Sequence, residues 1–297
     1  MASPSTHERR TRLNVKGIMR EQFIKTVTDI FRDDDKAILI LGDIGVWGFR
    51  ELSEKYPRRV INIGICEQAT IGVCAGLAKE GFRPIFYSIA PFAVERCYEQ
   101  IKIDIGYQNL PVAIVSVGGS YDYASLGCTH HSPADVTLMS TIPHIKIVAP
   151  AYNEDVDSNF KLFYGRNPLY MRLSETECNP TADVIAYKRD CVIIAFGNTI
   201  ENVNKACRTI GIPVVNIIRT DIQKLAPDVF RKIAIIEPWY EGTMHYDVAN
   251  RYPKAEILSI GVPRKFLTNY GTKEEHDKAC GLDVESLRTK LTEFFNG

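Results

Sequence analysis

The stretch VINIGICEQATIGVCAGLAKEGFRPIFYSI, residues 60–89, holds two short apolar runs separated by a Gly/Ala-rich segment. VINIG (60–64) and PIFYSI (84–89) have the profile of buried strands, too short and too continuously apolar for solvent-facing elements. EQATIGVCAGLAKEG (67–81) reads as a helix whose small residues permit close packing and whose end is marked by Gly81. Strand–helix–strand alternation of this kind points to an α/β layered fold with a mostly parallel sheet.

The same rhythm extends in both directions. Upstream, AILILGD (37–43) is another buried strand, and Phe23, Ile24, Val27, Ile30 and Phe31 follow helical spacing over residues 19–31. Downstream, helices are expected over 94–108, 134–142 and 153–165, with strands at PVAIVSVGG, HIKIVAP and PLYMRL. SETECNPTAD (174–183) breaks the rhythm with turn formers and is the expected linker. A second series follows: CVIIAFG, a helix over 199–210, IPVVNII, KIAIIEP, a helix after Gly242, AEILSIG and a terminal helix over 283–294. YGTKEEHDKACG, before that helix, reads as a polar loop. The expectation is a polar leader (1–18) and two consecutive α/β domains (19–178 and 184–297), each with a mostly parallel sheet flanked by helices.

Composition narrows the function classes. The 297 residues are 45% hydrophobic and 24% charged, with zero formal net charge. That suits a packed soluble protein and gives no basic excess for nucleic acid or a membrane surface. No apolar run approaches the ~20 residues of a membrane span, and the start lacks a signal-peptide core. Eight cysteines form no C-x-x-C pair, so they read as reduced, small buried hydrophobes in a cytoplasmic protein.

Chemistry-bearing residues collect after the apolar strands, where ligands bind in open α/β sheets. Glu67 stands where a strand gives way to a helix, although an acidic residue there also suits the helix dipole. Phe92 and Arg-x-Tyr-x-Gln (96–100) follow the next strand. LGCTHHSPAD (126–135) follows another, and its adjacent histidines His130 and His131 have no expected packing role. Without other ligands at metal spacing they suit acid–base or hydrogen-bonding work.

In this order, Gly-x-x-Glu-Gln, then Phe with Arg-x-Tyr-x-Gln, then Gly-x-Thr-His resembles the transketolase family, including its deoxyxylulose-phosphate synthase relatives. The likeness covers the pyrimidine-binding domain over about residues 20–175 and the C-terminal domain from about 185. It implies thiamine diphosphate as cofactor and transfer of a two-carbon ketol or acyl unit to an aldehyde or sugar acceptor. It implies that Glu67 faces the N1′ nitrogen of the aminopyrimidine, favouring the tautomer that removes the reactive proton. Phe92 is then the residue packed on the ring, with Asp43 and Ile89 beside the cofactor. His130, His131 and Arg172 are the substrate contacts, Arg172 as an anion contact or else as one half of a structural ion pair.

Two departures stand out against the family pattern. Leu126 occupies the place of an acidic residue that contacts a sugar hydroxyl, and Gly118 or a neighbour that of a phosphate-binding histidine. Both point to a specialised sugar substrate, because a missing hydrogen-bonding group changes preference among hydroxylated ligands. The family's diphosphate-binding domain, with its Gly-Asp-Gly and Asn for Mg²⁺ or Ca²⁺, has no counterpart here; Gly42-Asp43 is followed by Ile44. The resemblance therefore implies a partner subunit carrying that domain and its metal, with none held by this chain, in an α2β2 heterotetramer. The β subunit of a 2-oxo acid dehydrogenase decarboxylating component, and a non-catalytic interaction homologue, are the alternative readings.

Overall fold

The computed structural model describes residues 19–175, 190–208, 210–218, 220, 222 and 229–297. The expected leader lies outside these residues, as does most of the expected linker.

Helix α1 (Met19–Asp33) leads into β1 (Ala37–Leu41). After α2 (Arg50–Lys55) come β2 (Val60–Asn62), α3 (Glu67–Lys79) and β3 (Arg83–Ile89). Two π-helical turns, Pro91–Glu95 and Ile101–Gly106, flank a short α-turn before β4 (Ala113–Val117). Helix α4 (Asp135–Ser140), β5 (Lys146–Val148), α5 (Glu154–Phe163) and β6 (Leu169–Leu173) complete the first series. All six strands run parallel, in the order β2-β1-β3-β4-β6-β5.

The sheet is covered on both faces, which explains its uninterrupted apolar strands. Leu39, Leu41, Ile85, Tyr87, Val115 and Val117 face α1 and α5, where Phe23 and Phe160 pack edge to face. Ile38, Ile40, Phe86 and Ile114 point the other way, into a core shared with Ile71 and Cys74 of α3. The register aligns Leu41 with Asn62 and Tyr87, and Ile89 with Val117. The loops carrying the candidate residues therefore leave one edge of the sheet. β1 connects outward to β2 while β3 connects the opposite way to β4, so the chain reverses direction across the β1/β3 crevice, where ligands of open sheets sit.

The second series contains β7 (Cys191–Phe196), α6 (Ile200–Cys207), β8 (Val214–Ile217) and β9 (Lys232–Tyr240). It ends with α7 (His245–Arg251), β10 (Glu256–Val262), α8 (Lys273–Cys280) and α9 (Val284–Asn296). Its parallel sheet has the order β10-β9-β7-β8. The expected α/β class with two parallel sheets is what the chain forms.

Helix α8 corrects the reading of 270–281 as a loop. Thr272 and Glu275 form a reciprocal capping box, and Gly281 ends the helix in the left-handed conformation. With only His276 and Cys280 buried, the helix lacks the apolar stripe by which helices are recognised. Its caps were the readable signal.

The two series share one core: Ile194, Phe196 and Trp239 of the second join Ile40 and Phe86 of the first. Polar contacts add to the seam. Tyr240 N–H donates to Pro133 O at 2.9 Å, Ser120 Oγ to Pro238 O, and the Thr137 and Thr243 hydroxyls pair at 2.7 Å. Among the described residues no helix is long and apolar enough to cross a membrane.

Candidate active site

Glu67 opens α3 and is 2% exposed. The turn that precedes it leaves Asn62, at the end of β2, to bond across to the loop after β1: Asn62 Oδ1 accepts from the Asp43 N–H at 3.0 Å, and Asn62 Nδ2 donates to Asp43 Oδ1 at 2.9 Å. Asp43 itself is solvent-exposed, in the left-handed region at φ 63° that Asp tolerates better than most residues. A side chain at Gly42 would come within 3.7 Å of the Glu67 Cγ, so Glu67 stands behind the β1 loop at the mouth of the crevice.

The Glu67 carboxylate is engaged from the next loop. Arg96 Nη1 donates to Glu67 Oε2 at 2.7 Å, and the same guanidinium lies 4.3 Å over the Phe92 ring. Phe92 in turn meets His130 edge to face, with ring centroids 5.3 Å apart. Ile89 closes β3 beneath this group, 8% exposed. Glu67, Phe92 and His130, 63 positions apart in sequence from first to last, are thus linked in one chain of contacts. Arg96 is the link that sequence reasoning left without a role, although it belongs to the quoted Arg-x-Tyr-x-Gln motif. Phe92 lies within the π-helical turn Pro91–Glu95 and Arg96 caps it, so one turn carries both residues.

The structure separates the two histidines. His130 is half-buried, with Nδ1 3.0 Å from Thr129 Oγ1. His131 turns inward and is 8% exposed. Its ring packs edge to face on Tyr121 (4.9 Å) and His276 (5.1 Å), and its Nε2 lies 3.3 Å from Ala124 O. The expectation that neither histidine packs is therefore corrected for His131. Burial, reinforced by His276, lowers its pKa.

Arg172 is enclosed as well. It is 2% exposed, its Nε donates to Asp135 Oδ2 at 2.7 Å, and its Nη2 donates to Ser120 Oγ at 2.6 Å. Tyr170 Oη also donates to Asp135 Oδ2, at 2.7 Å. Burial disfavours the guanidinium charge, but Asp135, Tyr170 and Asp122 together outweigh it and raise the pKa. Enclosed in this way, Arg172 forms the buried ion pair that its alternative reading described.

Leu126 is 50% exposed, in a 3₁₀ turn (Ala124–Leu126) one turn before His130. Gly118 sits at φ 75° with its Cα directly against the Tyr123 ring, where any side chain would collide.

Residues 18–180 match the family model described as "Transketolase, pyrimidine binding domain". A protein of Rhodococcoides fascians described as "Uncharacterized 33.6 kDa protein in fasciation locus" is 31% identical, covering 92% of this chain and 93% of that one. The B subunit of an apulose-4-phosphate transketolase from Phocaeicola vulgatus is 28% identical over 93% of this chain and 96% of its own. Among solved structures, "Split gene transketolase, inactive beta4 tetramer" superposes with a TM-score of 0.81 at 19% identity, covering 94% of this chain and 98% of that one. The family model spans residues 18–180, more than half of the chain and every candidate residue of the first series, and this chain therefore belongs to the transketolase family.

Proposed function

We propose that this chain is the pyrimidine-binding and C-terminal half of a thiamine-diphosphate-dependent transketolase-type enzyme, moving a two-carbon ketol or acyl unit to an aldehyde or sugar acceptor. The observation that carries the reading is the Glu67 carboxylate: nearly buried and held at one oxygen by Arg96, whose guanidinium lies over the Phe92 ring. Among the described residues Oε1 has no hydrogen bond, which leaves an acceptor for a ring nitrogen beside an aromatic wall. These residues fit an aminopyrimidine. The cofactor supplies the acidic carbon and the electron sink.

The chain's own residues do the positioning and the proton work. Glu67 accepts from or shares a proton with the ring nitrogen, Phe92 and Ile89 pack on the ring, and Asp43 borders the crevice. His130, beside Phe92, is the residue placed to hydrogen-bond a substrate oxygen. Leu126 beside it presents an apolar surface where the family pattern has a carboxylate, and Gly118 excludes a side chain. Both support a specialised sugar, with or without phosphate.

The diphosphate and its Mg²⁺ or Ca²⁺ are assigned to a second subunit carrying the N-terminal domain, with the site between the two chains in an α2β2 assembly. Support comes from a relative described as one subunit of a transketolase and from a structural neighbour described as a split-gene chain whose β4 tetramer is inactive. The test is reconstitution. The purified chain should show no transfer and weak cofactor binding, the complex should transfer, and Glu67→Ala should abolish turnover while assembly persists. Turnover by Glu67→Ala, or tight cofactor binding by the isolated chain, would overturn the proposal.

A further inference from the structure

Beyond the Glu67–His130 group, a cleft opens between the two series of elements. Its inner part, about 130 Å³, is bounded by Glu95, Tyr121, Cys128 and His131 on one side and by Tyr240 and Lys265 on the other. An adjoining space of about 280 Å³ shares Ala134, Tyr240, Lys265 and Phe266 and adds Arg264 at its rim. The inner end is chemically close to the candidate site. Cys128 and His130 belong to one 3₁₀ turn (Cys128–His130), so their Cα atoms lie within about 7 Å of each other. Glu95 ends the turn that begins beside Phe92, and accepts a 2.7 Å hydrogen bond from Ser132 Oγ.

The outer end is built differently. Arg264, Lys265 and Phe266 follow β10 in a tight turn, with Lys265 N–H donating to Pro263 O at 2.7 Å. All three are exposed, Phe266 by 80%. Neither cation takes part in an ion pair among the described residues, in contrast to Lys273 in the following helix, which is tied to Asp277 at 2.6 Å. An exposed phenylalanine beside two uncommitted cations is an unusual surface for a chain that pairs so many of its charges.

We propose that this cleft is a subsite for the phosphoryl-bearing end of the sugar substrate, with Arg264 and Lys265 taking the anion. Tyr240 and Phe266 form its apolar walls, and Glu95 at the inner end accepts from a sugar hydroxyl. The chemistry is that of a polyol with an anion at its far end: a carboxylate recognises hydroxyls, and adjacent guanidinium and ammonium groups hold phosphate oxygens. The assignment rests on the transketolase reading for the identity of the sugar, and it gives the second domain a part in substrate selection. A phosphorylated sugar and a nucleotide-linked sugar share this chemistry, and the aromatic walls suit the larger one.

Cys128, exposed at the inner end, provides a readout independent of turnover. Iodoacetamide alkylation of Cys128, followed by peptide mass spectrometry, would be compared for the wild-type chain and the Arg264→Ala/Lys265→Ala variant. Ribose 5-phosphate, ribose and uridine diphosphate glucose are the probes, in the isolated chain and in the reconstituted complex. The phosphorylated probes should slow alkylation and ribose should not, and the double variant should need about tenfold more probe or worse. Protection by the sugar phosphate alone, or by the nucleotide sugar more strongly, identifies the source of the phosphoryl group. No protection by either, protection unchanged in the double variant, or blockage of Cys128 by the partner subunit without ligand overturns the proposal. Protection of Cys128 reads the cleft alone and turnover reads the transketolase chemistry alone, so loss of protection counts against the subsite, whereas protection in a reconstituted complex that transfers nothing counts against the transketolase reading.

Discussion

Arg96 and Arg172 show how much a single side chain's surroundings decide. Both are arginines facing a carboxylate, yet Arg96, after β3, is 39% exposed against Glu67, while Arg172, within β6, is buried against Asp135. Arg96→Met should release the Glu67 carboxylate and lower kcat/KM of the reconstituted enzyme roughly 10–100-fold through misplacement, with assembly intact. An unchanged rate would show the ion pair to be dispensable. Arg172→Leu should instead act on stability. Leaving Asp135 buried without its cation costs about 3–5 kcal/mol, read as a lower urea midpoint. A raised KM with unaltered stability would restore the substrate-anchor reading.

At the scale of elements, α8 depends on its caps more than on an apolar face. Thr272 Oγ1 accepts from the Glu275 N–H at 3.3 Å and Glu275 Oε2 accepts from the Thr272 N–H at 2.9 Å. Thr272→Ala should cost about 1 kcal/mol in urea denaturation, and loss of helix ellipticity should accompany it. The helix matters because it brings His276 to the seam, where that ring stacks on Tyr121 at 4.7 Å. The loop of the first series that presents His130 is thus braced by an element near the end of the chain.

For the whole molecule, the seam carries a pH dependence. His131 has its pKa lowered below 6.5 by burial, and His276 lies 5.1 Å away. In the unfolded chain His131 takes a proton near the ordinary value; in the folded chain it resists. The unfolded state therefore binds more protons below about pH 6.5, and the stability contributed by neutral His131 is lost as the pH falls toward its folded value. Relative to the parent chain, His131→Phe, which keeps the aromatic packing, should gain urea midpoint as the pH falls from 7.5 to 5. A parallel slope in the variant would place the acid sensitivity elsewhere. Glu237, another buried group, works in the opposite sense: burial pushes its carboxyl up to about 7, although it accepts from Trp239 Nε1, Gly242 N–H and Met244 N–H, so its contribution to stability grows as the pH falls below that value.

Short apolar runs alternating with helical segments were enough to read the α/β class and two parallel sheets, because buried strands and amphipathic helices carry their own periodicity. The ordered motif around Glu67, Phe92 and His130 was legible too, since strand ends are where open sheets place ligands. Sequence left α8 unread, because a mostly polar helix lacks an apolar stripe and only its caps announce it. Which of two adjacent histidines faces the crevice, whether an arginine meets solvent or a buried aspartate, and that Arg96 joins Glu67 to Phe92 were decided by the tertiary structure alone. Those choices turn on contacts between residues far apart in the chain, such as Arg172 with Asp135 and His131 with His276, and no local pattern encodes a partner that only folding brings near.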